Sequence, residues 1–343
     1  MIETTDTILA RTAALVPLLR TSAADAERDR KASPEVLDAL ADAGVFKMTA
    51  PKAFGGYEVD FQTQCDVLAE VARGCPSTSW VATIYSAMSW LVGVFPDQAQ
   101  EEIFATRDPR IAGVFSPTGT ATPKDGGYLV NGRWPFNTGC HGAQWTVLNA
   151  LQESGLPTCV IARSKDLTIL DDWHASGMAA TGSNTVVAEN VFVPKVRTMP
   201  LPEMLEARYP ERHTASNPYY SLPLAPVLTV NAGGTPVGIA RGAMDAFVER
   251  LPGRGITYTT YTNKSEAPVT HLQIAEASLL IECQRMGRKH ATAPQHGNNI
   301  GRYVSPRGHD PRSCCATSRA LVLPGQTLAG AARSHLCGRA ACD

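Results

Sequence analysis

The stretch NGRWPFNTGCHGAQWTVLNA, Asn131 to Ala150, sets the problem. It opens on an Asn-Gly turn pair, then gathers Trp134, Phe136 and Trp145 around Asn137, Thr138 and Gly139, with Cys140 and His141 following. A plain hairpin needs only the turn pair and two alternating strands. Aromatics make up just 7% of the chain, so three of them around one polar turn point elsewhere. A site for a flat, conjugated ligand wants aromatic walls and one or two hydrogen-bonding groups.

The segments on either side share the β texture. IAGVFSP, GGYLVNGRWPFNTG, QWTVLNAL, PTCVIAR and NTVVAENVFVP are short, rich in β-branched and aromatic residues, and bounded by Gly, Pro and Asn. They read as strands of a small antiparallel barrel or sandwich. Before about Arg110 the pattern is helical. TDTILARTAALVPLLRTSAADAERDRK keeps helical spacing. SPEVLDALADAG carries Ser33 as N-cap, Pro34 at the first position and Gly44 at the end. Ser77 to Phe95 is apolar nearly all round and reads as a buried helix. After about Val230 helices return, in GGTPVGIARGAMDAFVERL and HLQIAEASLLIE. The domain reading is therefore 1–110 helical, 111–225 β, 226–282 the start of a helical bundle, and 283–343 an atypical tail.

The 343 residues can hold two or three domains. A net charge of −1 gives no reason to expect nucleic acid or a membrane surface as partner. No apolar run has transmembrane length. The N-terminus lacks a basic region followed by an apolar one and reads as a mature helix, not a signal peptide. Cys65, Cys75, Cys140 and Cys159 are scattered, as free thiols in a reducing cytoplasm would be. Charge is uneven along the chain. Residues 1–282 hold 22 Lys and Arg against 30 Asp and Glu; residues 283–343 hold 9 against 2. Five of nine cysteines and four of eight histidines fall in that last stretch. Acids vanish, breakers accumulate and the helical period stops together. This reads as a reading-frame shift near 282–290, with a genuine basic tail as the alternative. Cys314, Cys315, His335, Cys337 and Cys342 lack paired C-x-x-C spacing, so no metal site is expected. GGTPVG is not in G-x-G-x-x-G order, so no dinucleotide fold is expected.

The helical, β, helical order resembles the acyl-CoA dehydrogenase superfamily, an α+β fold. Local phrases carry the resemblance: ADAGVFKMTAPKAFGGYEVDF, CPSTSWV and GMAATGSNTVVAENVFVP. GRWPFNTGCHGAQW together with DDWHASGMAATGSNTV is similar to the branch of two-component flavin-dependent monooxygenases, which hydroxylate phenols and aromatic polyketides, with sugar-amine oxidases as relatives. The resemblance covers about residues 30–282. It implies a reduced flavin (FMN or FAD), O2 as co-substrate, a C4a-hydroperoxide on the flavin, a separate flavin reductase as transient partner, an aromatic small molecule as substrate, and a homotetramer or homodimer. It also places a Ser or Thr before the Gly of the strand end at flavin N5. Thr138 matches, with Asn137 as the neighbouring possibility if the register slips by one. Trp134 and Phe136, two apart on a strand, would share a face and wall the flavin or the substrate, or else pack in the core. Ser116 in SPTG and the Thr181, Gly182, Ser183 turn would lie close to the cofactor, or be plain turns. His141 and Trp80 are read as substrate-pocket residues, with core packing as the alternative for Trp80. A Cys140–His141 nucleophile pair is discounted, because neighbours on a strand point to opposite faces. None of His290, His296, His309 or His335 sits in a stretch matching the branch's late histidine. Rival readings are an acyl-CoA dehydrogenase, which needs a carboxylate base, and an inactive truncated member of the family.

Overall fold

The computed structural model describes residues 2–292, with side chains over 7–285. The five Cys and His considered as metal ligands, the late histidines His296, His309 and His335, and residues 293–343 lie outside those residues, and of His290 only the backbone is described.

Six helices come first: α1 (Ile2–Ala14), α2 (Val16–Asp29), α3 (Pro34–Asp42), α4 (Phe61–Gly74), α5 (Pro76–Val92) and α6 (Asp97–Phe104). The single long helix expected at the start is two. It breaks at Leu15, just ahead of Pro17, because a proline is tolerated in a first turn but not mid-helix. α3 starts and stops where the sequence signals it. The Ser33 side chain accepts from Val36 N–H at 3.2 Å, and Gly44 takes φ +91° past the end. A Cβ at Gly44 would stand 2.7 Å from the Tyr57 ring, so glycine is needed there for both space and backbone conformation. α5 is buried on nearly every side, as its all-round apolar sequence requires.

The β region begins at Ile111. Its strands are β1 (Ile111–Gly113), β2 (Gly119–Lys124), β3 (Gly127–Trp134), β4 (Trp145–Gln152), β5 (Pro157–Arg163), β6 (Thr168–Ile169), β7 (Val186–Pro194) and β8 (Thr198–Pro200). They form one sheet in the order β6-β7-β3-β2-β4-β5-β8, with β1 also paired to β4. The sheet is mixed, not antiparallel as expected from the short strands. β1 and β2 both run parallel to β4, at Trp145–Val147 and Ala150–Gln152 respectively. The physical reason is the path of the chain: after β3 it re-enters the sheet on the far side of β2, so β4 runs with β2 and against β3. β2 (GTATPK) is mostly exposed and lacks an apolar face, so the sequence pattern carries no strand signal there.

Helices α7 (Leu201–Leu205), α8 (Leu224–Asn231), α9 (Gly234–Glu249) and α10 (Pro268–Thr292) complete the described elements. α10 continues ten residues beyond Glu282, where the sequence pattern predicts a stop. No described helix is long and apolar enough to cross a membrane. α9 lies directly on α4. A Cβ on Gly234 would meet the Cys65 carbonyl at 2.7 Å, one on Gly238 the Ala69 carbonyl at 2.1 Å, and one on Gly242 the Arg73 carbonyl at 2.8 Å. Glycines four apart stack on one helix face, so the two backbones touch. An ion-pair group edges the seam, with Asp245 held by Arg20 and Arg73, and Glu70 by Arg73 and Arg241.

These contacts can be tested at two points. Gly238→Val forces side-chain atoms into the α4 backbone and should lower stability by about 2 kcal/mol or more, a drop of several degrees in a thermal melt. An unchanged melt would mean the helices do not pack this closely. Asp97 accepts from His213 N–H, Thr214 N–H and the Thr214 hydroxyl, tying the segment after α7 to the start of α6. Burial pushes its carboxyl up, but these hydrogen bonds outweigh burial and hold it below the usual carboxylate value. The clasp should therefore be fully present above the unfolded value of about 3.9 and be lost as pH falls through the lower folded value. Amide exchange at His213 and Thr214 should rise over that window in the wild type; in Asp97→Asn it should already be raised at neutral pH.

Candidate active site

β3 ends at Trp134, and the chain enters a tight turn instead of continuing as strand. Pro135 has no N–H for the ladder, and Phe136 takes φ +63°. That left-handed step breaks the alternation expected for positions 134 and 136. Trp134 is 0% exposed, inside the sheet's core, with its indole N–H donating to the Asn149 carbonyl at 2.8 Å. Its ring covers Gly119 and Gly132, where a Cβ would come within 2.1 Å and 2.9 Å of it. Phe136 is 66% exposed. The two rings do not share a face, and Trp134 is a core residue.

The turn at 136–142 is joined to the turn at 178–185 by its backbone. Asn137 N–H donates to the Asn184 carbonyl at 3.2 Å, and Gly139 N–H to the Thr181 carbonyl at 2.9 Å. The facing side chains continue the join. The Thr138 hydroxyl lies 2.9 Å from that of Ser183, which lies 2.6 Å from that of Thr181. All three residues are buried. His141 Nε2 is 3.0 Å from Asn184 Oδ1, and the Asn184 amide N–H donates to the Leu170 carbonyl. Gly182, at φ +52°, makes room for the chain itself: a Cβ there would meet the Arg30 carbonyl and the His141 ring, both at 3.2 Å.

Asn137 differs from its neighbours. Its side chain is 0% exposed, yet neither its amide oxygen nor its amide nitrogen has a partner in the protein. Leaving such a group unpaired costs on the order of 1–3 kcal/mol. The Thr138 hydroxyl, by contrast, has a partner in Ser183.

Beside this junction lies a small, part-open cleft. It is lined by Lys31, Leu37, Val81, Tyr85, His141 and Thr181, among others. Val81 and Tyr85 are one helical turn apart on α5 and face it together. Trp80 is half-buried and does not line this cleft, being about 100° round the helix from Val81. The Tyr85 hydroxyl donates to the Gly139 carbonyl, and burial pushes its phenol far above the ordinary value, so it stays neutral. Burial likewise pushes the Cys140 thiol up to about 11. Cys140 Sγ lies 3.4 Å from the Gly182 carbonyl while His141 turns to Asn184, so the two do not form a nucleophile pair. The reason is not the strand alternation expected from sequence, because residues 140–142 form a helical turn. Ser116 is exposed on the loop between β1 and β2, where Thr118 donates to the Arg133 carbonyl at the end of β3. Among the described residues no group of three or more His, Cys, Asp or Glu is placed to hold a metal.

Thr138, Thr181, Gly182, Ser183 and His141 thus converge. Phe136 sits at their margin, edge-on to Trp173 with ring centres 6.1 Å apart. Trp134, Ser116 and Trp80 stand apart. Sequence reasoning misses Asn184 and Tyr85. Asn184 directly follows the Thr181–Ser183 phrase and could be drawn in with it. Tyr85 gives no signal, being one apolar-looking position on a helix buried all round.

Residues 14–107 match the acyl-CoA dehydrogenase N-terminal domain, and residues 231–299 its C-terminal domain. The chain is 32% identical over 285 residues to the oxygenase component of an FADH2-dependent resorcinol hydroxylase from Rhizobium sp. (strain MTP-10005), a match covering 80% of this chain and 70% of that protein. The 3-HSA hydroxylase from Rhodococcus sp. RHA1 superposes with a TM-score of 0.75 at 31% identity, over 84% of this chain and 75% of that one. XiaF from Streptomyces sp., solved with FADH2 and glycerol, gives a TM-score of 0.76 at 27% identity, over 85% and 75%. With that extent of likeness on the same order of domains, the chain belongs to the acyl-CoA dehydrogenase superfamily, in its branch of flavin-dependent monooxygenase oxygenase components.

Proposed function

We propose that this chain is the oxygenase component of a two-component system that hydroxylates an aromatic or polyketide-like small molecule, receiving reduced FMN or FAD from a separate reductase and working as a homotetramer or homodimer. The observation that carries this is the sustained likeness to the resorcinol hydroxylase oxygenase component, which extends over 80% of this chain.

The residues present suit a flavin. The unpartnered Asn137 amide offers two donors and two acceptor positions, which the alternating groups along a flavin edge would complement. The exposed Phe136 ring, with Trp173 against it, offers an apolar wall. Bound reduced flavin would supply the activation of dioxygen. The chain's own residues bind, orient and exclude water. Asn137 would hold the cofactor through its amide, Phe136 would be an apolar wall to it, and Ser116 is the exposed hydroxyl of the neighbouring loop. Thr138 acts at one remove, bracing the turn through Ser183 and Thr181. His141, fixed by Asn184, lines the cleft proposed for the aromatic substrate.

The test supplies chemically reduced FMN or FAD, labelled O2 and a panel of phenols including resorcinol to the purified full chain. The expected result is a product carrying one labelled oxygen atom. Acyl-CoA-dependent reduction of a dye with no oxygen incorporated would overturn the proposal.

Two substitutions separate binding from bracing. Asn137→Leu should weaken flavin binding about tenfold, the loss of one net hydrogen bond. Ser183→Ala leaves the Thr138 and Thr181 hydroxyls without their shared partner; it should cost about 1–2 kcal/mol of stability while flavin affinity holds. If Ser183→Ala weakened flavin binding and left the melt unchanged, Thr138 would be acting on the cofactor directly.

A further inference from the structure

Trp173 belongs to a surface loop, 170–178, outside the sheet's ladder. Local bonds hold part of it. The Trp173 indole N–H donates to the Ala179 carbonyl at 3.1 Å, and Asp172 accepts from Thr185 N–H at 2.9 Å. A third attachment comes from far away in the chain. Arg30, just past the end of α2, donates through one guanidinium nitrogen to the Trp173 carbonyl at 3.1 Å. The same nitrogen lies 3.2 Å from the His174 ring nitrogens, and the other end of the fork pairs with Asp171 at 2.6 Å. One planar side chain thus grips Asp171, Trp173 and His174 together.

Arg30 is itself fixed. It takes φ +55°, a conformation uncommon for a non-glycine residue, and its backbone N–H with that of Lys31 closes the end of α2 on Glu27 and Ala26. Its carbonyl faces Gly182, in the turn that carries the Thr181 and Ser183 hydroxyls. The end of α2 therefore touches both the turn beneath the site and the loop beside it. Among the described residues, Trp173 is the ring in edge contact with exposed Phe136.

We propose that Arg30 is a positioning residue: by gripping Asp171, Trp173 and His174 it sets Trp173 against Phe136, so that the aromatic wall of the site is complete only when the helical domain is seated on the β domain. This rests on the functional reading above for its catalytic consequence, but not for its structural one. Arg30 touches neither reacting group. Its effect is to keep water from the wall, and so to keep oxygen transfer coupled to oxygen consumption. Lysine cannot replace it, since a point charge can pair with Asp171 but cannot also fork to the Trp173 carbonyl.

The experiment has two arms. In the first, Trp173 fluorescence is read as the difference between a chain and its Trp173→Phe counterpart. Arg30→Ala should shift that difference signal to the red and make it more open to acrylamide quenching, with Arg30→Lys in between. In the second, hydroxylated product per O2 consumed should fall about threefold in Arg30→Ala and in Trp173→Ala. The double variant should be no worse than Trp173→Ala alone, as residues acting in one chain of contacts are not additive. A Trp173 signal unmoved in both Arg30 variants, or losses that add fully in the double variant, would overturn the proposal. The fluorescence arm needs no activity. A wild-type chain that fails to hydroxylate would sink the functional reading while the first arm still decides the grip. Should Arg30→Ala not fold, Arg30→Lys, which keeps the charge, gives the same two readouts.

Discussion

The site depends on two turns, at 136–142 and 178–185, being sewn to each other. Each contains a left-handed step and would be an ordinary surface loop by itself. Joined by the backbone bonds of Asn137 and Gly139, and by the buried run of hydroxyls from Thr138 through Ser183 to Thr181, they become one rigid surface. Hydroxyls suit this because each can donate and accept at once. Every other feature borrows that rigidity: the exposed ring of Phe136, the imidazole of His141, the cleft against α5 and the seat for the end of α2.

Much of the fold is legible in the sequence because local chemistry and tertiary need agree. Ser33, Pro34 and Gly44 punctuate α3 for reasons that hold in any context, and the all-round apolar run of α5 has to be interior. Legibility fails where one residue redirects the chain. Pro17 splits the first helix; Pro135 and the left-handed Phe136 send Trp134 and Phe136 to different environments, and the chain beyond them re-enters the sheet past β2, which makes the sheet mixed. Strand alternation is a rule about uninterrupted strands, and β3 has already ended there.

The site shows the same division. Its phrases mark the two turns that the fold joins, since small polar residues in two turns are visible in one dimension. Which hydroxyl faces which partner is not. Thr138 looks solitary in the sequence and is hydrogen-bonded to Ser183, whereas Asn137 looks like a turn residue and is the side chain whose amide has no partner. Arg30 cannot be linked to Trp173 from sequence, because 143 positions separate them and nothing in either stretch names the other.

The seam between α4 and α9 has an evolutionary consequence. Where two helices meet through side chains, a larger residue on one can be matched by a smaller one on the other, and the pair drifts together. At Gly234, Gly238 and Gly242 the opposing atoms are mostly backbone, and the side chains nearest Gly238 include Ala72. Little there can shrink to make room. The three positions can only gain atoms, so this join has few neighbouring sequences open to it, while the outward faces of α9 and α10, with Ile239, Phe247, Leu272 and Leu279 exposed, are under no such restriction from α4. Substitution on that outer surface leaves the inner contact unchanged.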